Sequence, residues 1–199
     1  PHSIHAVFDM ASQRSTVGDF EGARASLSAF LGSDRPRERA VSNLFLAVIG
    51  CVEGSGLDTP ALGNATAAAS TRITVYEAQM FKLLDNAIQQ PGCAGTAEGP
   101  VATVLVHMLD AATLQPETSR NKFVMRELAA RIFVRAGMME EATRQSSIAW
   151  RSGGNPPAGA LLARLYMGQN RFADAAPVVA QFRQQIDAGD VAGRRELAL

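Results

Sequence analysis

Apolar residues return every three to four positions along most of this chain, the spacing that places them on one face of a helix. In residues 75–89, for example, Tyr76, Met80, Leu83, Leu84 and Ala87 share a face. The same pattern predicts helices over residues 4–15, 19–32, 39–52, 120–136, 139–152, 157–169 and 172–187. A further helix is predicted to start near Pro100, the favoured first helical position, with Val101, Val104, Leu105 and Met108 on its apolar face. The breaks are short and carry turn chemistry: "TVGD", "EGSG", Pro91–Gly92 and "QPETS". "DTPALGNATAAAST" reads as a linker or as a short helix within a loop. No stretch alternates apolar and polar residues between turn signals, so no strand is expected. The predicted fold class is all-α, with neighbouring helices antiparallel.

One phrase recurs. "RAGMMEEATRQSSIAW" is followed at a spacing of 33 residues by "MGQNRFADAAPVVAQF". Gly137 aligns with Asn170, Met139 with Phe172, Ala142 with Ala175 and Ser146 with Val179. Gly18, Phe20, Ala23 and Leu27 keep the same internal spacing near the start of the chain. Ala11, Ala130 and Ala163 precede the three phrases in a common register. This is the logic of a helical hairpin. A flexible residue makes the turn, a large apolar residue starts the second helix against the first, and a small residue lets the backbones approach.

The period and the order of small and large residues resemble the tetratricopeptide repeat (TPR). Residues 123–187 carry two units of it and residues 4–35 a third, while residues 39–116 are helical but fit the consensus poorly. The consensus tryptophan is missing from all units. The late alanine is kept as Ala149 but replaced by Phe30 and Phe182. Pro36 and Pro156 stand near, not at, the terminal proline. The resemblance implies a divergent helical-repeat solenoid over residues 1–199. It comprises a first hairpin plus apolar helix (1–52), an irregular linker (53–72), middle helices (73–116) and the two best-matching units (117–199).

Such solenoids bind along a concave surface lined by the first helix of each unit. That places Val124, Glu127, Arg131 and Val134 from one unit, and Ala160, Arg164 and Met167 from the next, as groove residues. Arg131 and Arg164 would then stack and clamp a carboxylate or phosphate. The alternative is a solvated helix face with Arg131 neutralised by Glu127 at i,i+4. Tyr166 and Trp150 are assigned to packing.

Composition narrows the function classes. Of 199 residues, 47% are hydrophobic and 19% charged, so a packed core is expected. Nineteen basic residues balance nineteen acidic ones, and this excludes a global electrostatic case for nucleic acid or an anionic membrane surface. The longest apolar run, "LFLAVIGCV", is about half the ~20 residues of a bilayer crossing. No signal peptide opens the chain; its start at Pro1 is read as the mark of a piece cut from a longer protein. Two cysteines, Cys51 and Cys93, are compatible with one disulfide and an oxidising compartment. Equally, Cys51 reads as a plain buried thiol within its apolar run.

Catalytic signatures are not found: no phosphate-binding "GxxxxGK", no "GxSxG", no "HExxH" and no CxxC pair. No cofactor or metal site is expected. His2 and His5 lack a nearby third ligand and read as a solvated terminus, and His107 reads as a packed histidine. Glu140, Glu141 and Asp174 fall at helix starts, where negative charge suits the macrodipole. Pairing Asp58 or Glu77 with Asp85, or Glu140 with Glu141, for glycoside hydrolysis would require that the two meet in a pocket. "NAT" at Asn64 matches a glycosylation sequon and is treated as chance.

The block order "PHSIHAVFDMAS", "LFLAVIGC", "PGCAG", "LVHMLDAA" and "RELAARIFVRAGMMEEA" resembles the C-terminal soluble domain of bacterial O-antigen polymerase, ligase or lipid-linked-sugar glycosyltransferase-type inner-membrane proteins. The resemblance implies a non-catalytic periplasmic module beside a membrane active site. The close cysteine pair of such domains is represented here by Cys93 alone, with Asn86 or a neighbour where the first cysteine would stand. Three functions follow as expectations: a scaffold in cell-surface glycan assembly with a protein, peptide or glycan partner; a general peptide-binding adaptor, for which a cytoplasmic location is the alternative; and a helical glycan hydrolase.

Overall fold

The computed structural model describes residues 4–68, 75–113 and 120–187. All regular structure among them is helical. The chain divides into two compact units, Pro1–Pro116 and Glu117–Leu199.

The first unit contains α1 (Ile4–Thr16), α2 (Phe20–Leu31), α3 (Pro36–Glu53), α4 (Thr59–Ala67), α5 (Val75–Ile88) and α6 (Glu98–Thr113). α3 is its hub. Ala40, Val41, Leu44, Phe45, Ala47, Val48, Ile49 and Cys51 are all buried, so this helix hides nearly its whole circumference. It packs against α1, α2, α4 and α5, and α4 in turn meets α6. Phe8 and Phe45 join α1 to α3 edge to face, with ring centroids 5.5 Å apart. Pro36 takes the first helical position of α3, where a missing N–H is harmless.

The segment left open as linker or short helix forms α4. The Asp58 carboxylate caps it by accepting from the Ala61 N–H at 3.0 Å, and Pro60 sits in its first turn. α6 begins at Glu98, two residues before Pro100. The Glu98 carboxylate accepts from the Gly95 N–H of the preceding turn at 2.9 Å, and Pro100 lies within the first helical turn, where it breaks no bond.

The second unit is a succession of α7 (Arg120–Arg135), α8 (Met139–Gly153), α9 (Pro156–Gly168) and α10 (Phe172–Asp187), each packed on the next. Its core gathers Phe123, Trp150, Leu162, Tyr166, Val178 and Phe182 around buried alanines. Trp150 lies over Gly159, where a Cβ would fall 2.6 Å from the indole, and meets Phe182 at 6.1 Å. Gly159 is therefore a packing glycine: only hydrogen leaves room for the ring.

The three aligned phrases form three turns of one geometry. Gly18, Gly137 and Asn170 all adopt positive φ, at 83°, 74° and 58°. The next residue's N–H reaches back five residues in each: Asp19 to the Arg14 carbonyl at 2.9 Å, Met138 to Phe133 at 2.8 Å, Arg171 to Tyr166 at 2.8 Å. This is the Schellman closure, which satisfies carbonyls that the ending helix leaves open. Asparagine manages the left-handed conformation where glycine is absent. Ala23, Ala142 and Ala175 then donate the first i→i−4 bond of each following helix. All three alanines are buried, as are Ala11, Ala130 and Ala163.

One part of the hairpin logic is corrected. The large apolar residue is half-buried at Phe20 but largely open to solvent in the other two turns, with Met139 42% exposed and Phe172 62%. Met139 and Phe172 are each the first residue of their helix, and a helical Cβ tilts toward the N-terminus, which accounts for their exposure.

Candidate functional site

The predicted groove residues lie on α7 and α9, and they are not equivalent. Val124 and Met167 are exposed, at 36% and 46%. Arg131 and Val134 are half-buried and Arg164 is exposed. Glu127 is buried, at 4% exposure. Arg131 Nε donates to Glu127 Oε1 one helical turn away, so the guanidinium is held by a carboxylate on its own helix. Glu127 is thus the internal counter-ion that fixes Arg131 and offers no open surface to a ligand. Val124 on α7 and Met167 on α9 thus leave apolar surface open to solvent. Tyr166 is buried, with the Arg171 guanidinium 4.5 Å above its ring.

A buried polar network lies behind α7. Arg126 is fully buried, and its Nη1 donates to Gln145 Oε1 on α8. Gln145 Nε2 donates to Glu141 at 2.7 Å, and Arg144 grips the same carboxylate at 2.8 and 2.9 Å. Sequence reasoning passed over Arg126. The signal was present: Arg126 is in step with Phe123, Ala130 and Phe133, so helical spacing alone places a charge on the core face. A charge taken out of water must be hydrogen-bonded, and the facing helix supplies the partner.

In the first unit Cys51 and Cys93 are joined by a disulfide, with Cα atoms 5.2 Å apart. Both cysteines are almost wholly buried. Glycines let the backbones come this close. A Cβ on Gly92 would lie 3.1 Å from Gly54 Cα and 3.3 Å from the Cys51 carbonyl oxygen. One on Gly50 would fall 2.1 Å from the Gly56 carbonyl oxygen. The "GCVEGSG" stretch therefore folds back onto the end of α3, and the Gly56 N–H donates to the Gly50 carbonyl at 3.0 Å.

This folded-back loop and α2 enclose a cleft of about 570 Å³, lined among others by Glu21, Arg24, Leu46, Gly50, Leu57 and Asp58. Arg24 forms a two-pronged pair with Glu53, Nη1 donating to Oε1 at 3.3 Å and Nη2 to Oε2. The hydrogen bonds from Arg24 hold the Glu53 carboxyl below the usual carboxylate range and push the guanidinium higher still. The partners are 29 residues apart, so no local pattern announced them.

Among the described residues, no group of three or more His, Cys, Asp or Glu side chains is placed to share a metal ion. The side chains of His2, His5, Tyr76, Glu77, Met80, Leu83, His107 and Met108 lie outside the described residues. None of the helices described is long and apolar enough to cross a membrane. No protein-family model matches the sequence, and no curated protein and no solved structure is detectably similar to it.

Proposed function

We propose that this chain is a non-catalytic interaction module of divergent TPR-like hairpins, acting in the periplasm as the soluble part of a bacterial membrane protein in cell-surface glycan assembly. The observation that carries the module reading is the recurrence of one hairpin turn, with one set of backbone hydrogen bonds, at Gly18, Gly137 and Asn170. Repeated hairpins stack into extended surfaces that suit binding. The Cys51–Cys93 disulfide supports an oxidising compartment, since cytosolic thiols are kept reduced. The glycan assignment rests on the sequence resemblance. In this reading the chain holds partners, or guides a growing glycan, beside an active site elsewhere in its parent.

The test is cross-linking and co-purification of the full-length parent from native membranes, with thiol alkylation in the same cells. Recovery of lipid-linked sugars or glycan-assembly enzymes, with both cysteines protected, is the expected result. A soluble parent with free thiols and protein clients alone would overturn the glycan and periplasmic parts together.

The exposed Val124 and Met167 beside Arg131 and Arg164 favour a second reading, a peptide-binding adaptor. It predicts that a peptide ligand raises the melting temperature by mass action. Replacing Arg131 or Arg164 with alanine would then lower that rise.

A further inference from the structure

A second cleft of about 470 Å³ opens in the first unit, lined by Leu31 at the end of α2, Arg39 and Asn43 of α3, and Asn64, Ala67 and Ala68 at the end of α4. Its volume is in the range of small-ligand sites, about 300–1,000 Å³. Its chemistry differs from that of the groove on α7 and α9. Two asparagines and an arginine line it, and the rest of the lining is one leucine and two alanines.

Asn43 is the informative residue. It is only 7% exposed, yet it lines the cleft. Its Nδ2 donates to the Arg39 carbonyl at 2.8 Å, and this fixes the amide plane along α3. No hydrogen bond reaches its Oδ1 from the described residues, which leaves this acceptor open to a ligand. Arg39 is fixed in turn, its Nη1 donating to the Ser33 carbonyl, with further N–H groups left on the fork. Asn64 is exposed on α4 and brings a second carboxamide.

We infer that this cleft binds a saccharide. A carboxamide offers a donor and an acceptor side by side, which matches the paired hydroxyls of a sugar ring. The Arg39 fork adds donors to a ring or hydroxyl oxygen. Leu31, 37% exposed, and the exposed Ala67 supply apolar contact for the C–H face of a sugar. A peptide is fitted less well, because the lining has no deep apolar recess for a side chain. The inference deepens the glycan part of the proposed function, and its site lies wholly within the first unit.

The experiment is saturation-transfer and amide-shift NMR on the full chain with glucose, galactose, mannose, rhamnose and N-acetylglucosamine. Binding of at least one sugar, shifting the Asn43 and Asn64 side-chain amides, is expected. N64A is a surface variant that should keep the melting temperature, whereas R39M also gives up the Arg39–Ser33 bond and is read beside its own melting temperature. Each should weaken that sugar about tenfold, equivalent to about 1.4 kcal/mol. N43L removes the unsatisfied oxygen and should abolish binding.

Three outcomes would overturn the inference: no saturation transfer from any sugar, shifts confined to other residues, or unchanged affinity in an N64A/R39M double variant. A trialanine peptide that shifts Asn43 where the sugars do not would make the cleft a backbone clamp and overturn it too. Lipid-linked sugars recovered with the parent, but no sugar at Asn43, would remove this site while leaving the proposed function standing.

Discussion

Replacing both cysteines by alanine (C51A/C93A) removes a cross-link between residues 42 apart in sequence. In the chain-entropy treatment the loss is 2.1 + 1.5R ln n cal/mol/K, and for a loop of this length that is about 4 kcal/mol at 25 °C. Alanine is the appropriate replacement because both positions are about 1% exposed, and a serine hydroxyl there would add a desolvation cost of its own. The assay is urea unfolding followed by far-UV circular dichroism, with a slope of about 1–3 kcal/mol/M. A midpoint shift of roughly 2 M is therefore expected for the transition that includes the first unit. Hydrogen exchange resolved by peptide should place the loss in α3, α4, the end of α5 and the start of α6. Trp150, the chain's single tryptophan, belongs to the second unit, so its fluorescence supplies the reference transition. A loss below about 1 kcal/mol, or faster exchange confined to the second unit, would refute the reasoning.

The remaining predictions concern packing and charge. G159A drives a methyl group to 2.6 Å from the Trp150 indole and should cost about 1–3 kcal/mol, with an altered tryptophan emission; native-like emission and stability would contradict the packing. G63A, in α4 with nothing within 4 Å of its Cβ, should instead stabilise by up to about 1 kcal/mol in thermal unfolding. G50A places a methyl group on the Gly56 carbonyl and should slow or prevent disulfide formation, read as free thiol after oxidative refolding. Glu53 has a folded-state carboxyl pKa held below its unfolded value, so its contribution is present above the unfolded pKa and is lost as pH falls through the folded one. E53Q should accordingly lower the melting temperature at neutral pH and cease to matter in acid; a difference that persists in acid would show that the carboxylate charge is not the cause.

The helices were legible because they are amphipathic, and the turns because a left-handed residue leaves a mark: glycine twice, asparagine once. Met139 and Phe172 misled because spacing says which residues recur, not which side of the turn the first side chain of a helix leaves from. The start of α6 was legible to within two residues, because Pro100 lies in its first turn. Arg126 lay in step with the apolar stripe and was legible in register. Its partner Gln145 was not, since nothing local tells which polar residue of the next helix will face it. The clefts of the first unit were illegible for the same reason at longer range. Asn43 and Asn64 line one cleft only because α3 and α4 pack together across the glycine-rich loop, and Arg24 finds Glu53 only because α2 packs on α3.

The two units solve the problem of small helical cores by different physics. The second unit rests on contacts between successive helices, two Schellman turns of one geometry and a large aromatic centre in Trp150. Local contacts of this kind repay loop closure cheaply. The first unit wraps several helices around α3, and α4 is short and built largely of alanine, glycine and threonine, residues that bury little apolar area. The cross-link from α3 to the segment before α6 lowers the entropy of the unfolded chain where packing alone is weakest. The same close approach of glycines that admits the disulfide shapes the wall of the Arg24 cleft, through Gly50, Ser55, Gly56 and Leu57. Reduction should therefore loosen that wall before it melts α1 and α2, and faster exchange at residues 54–58 than at residues 4–16 in reductant is the order of events this arrangement requires.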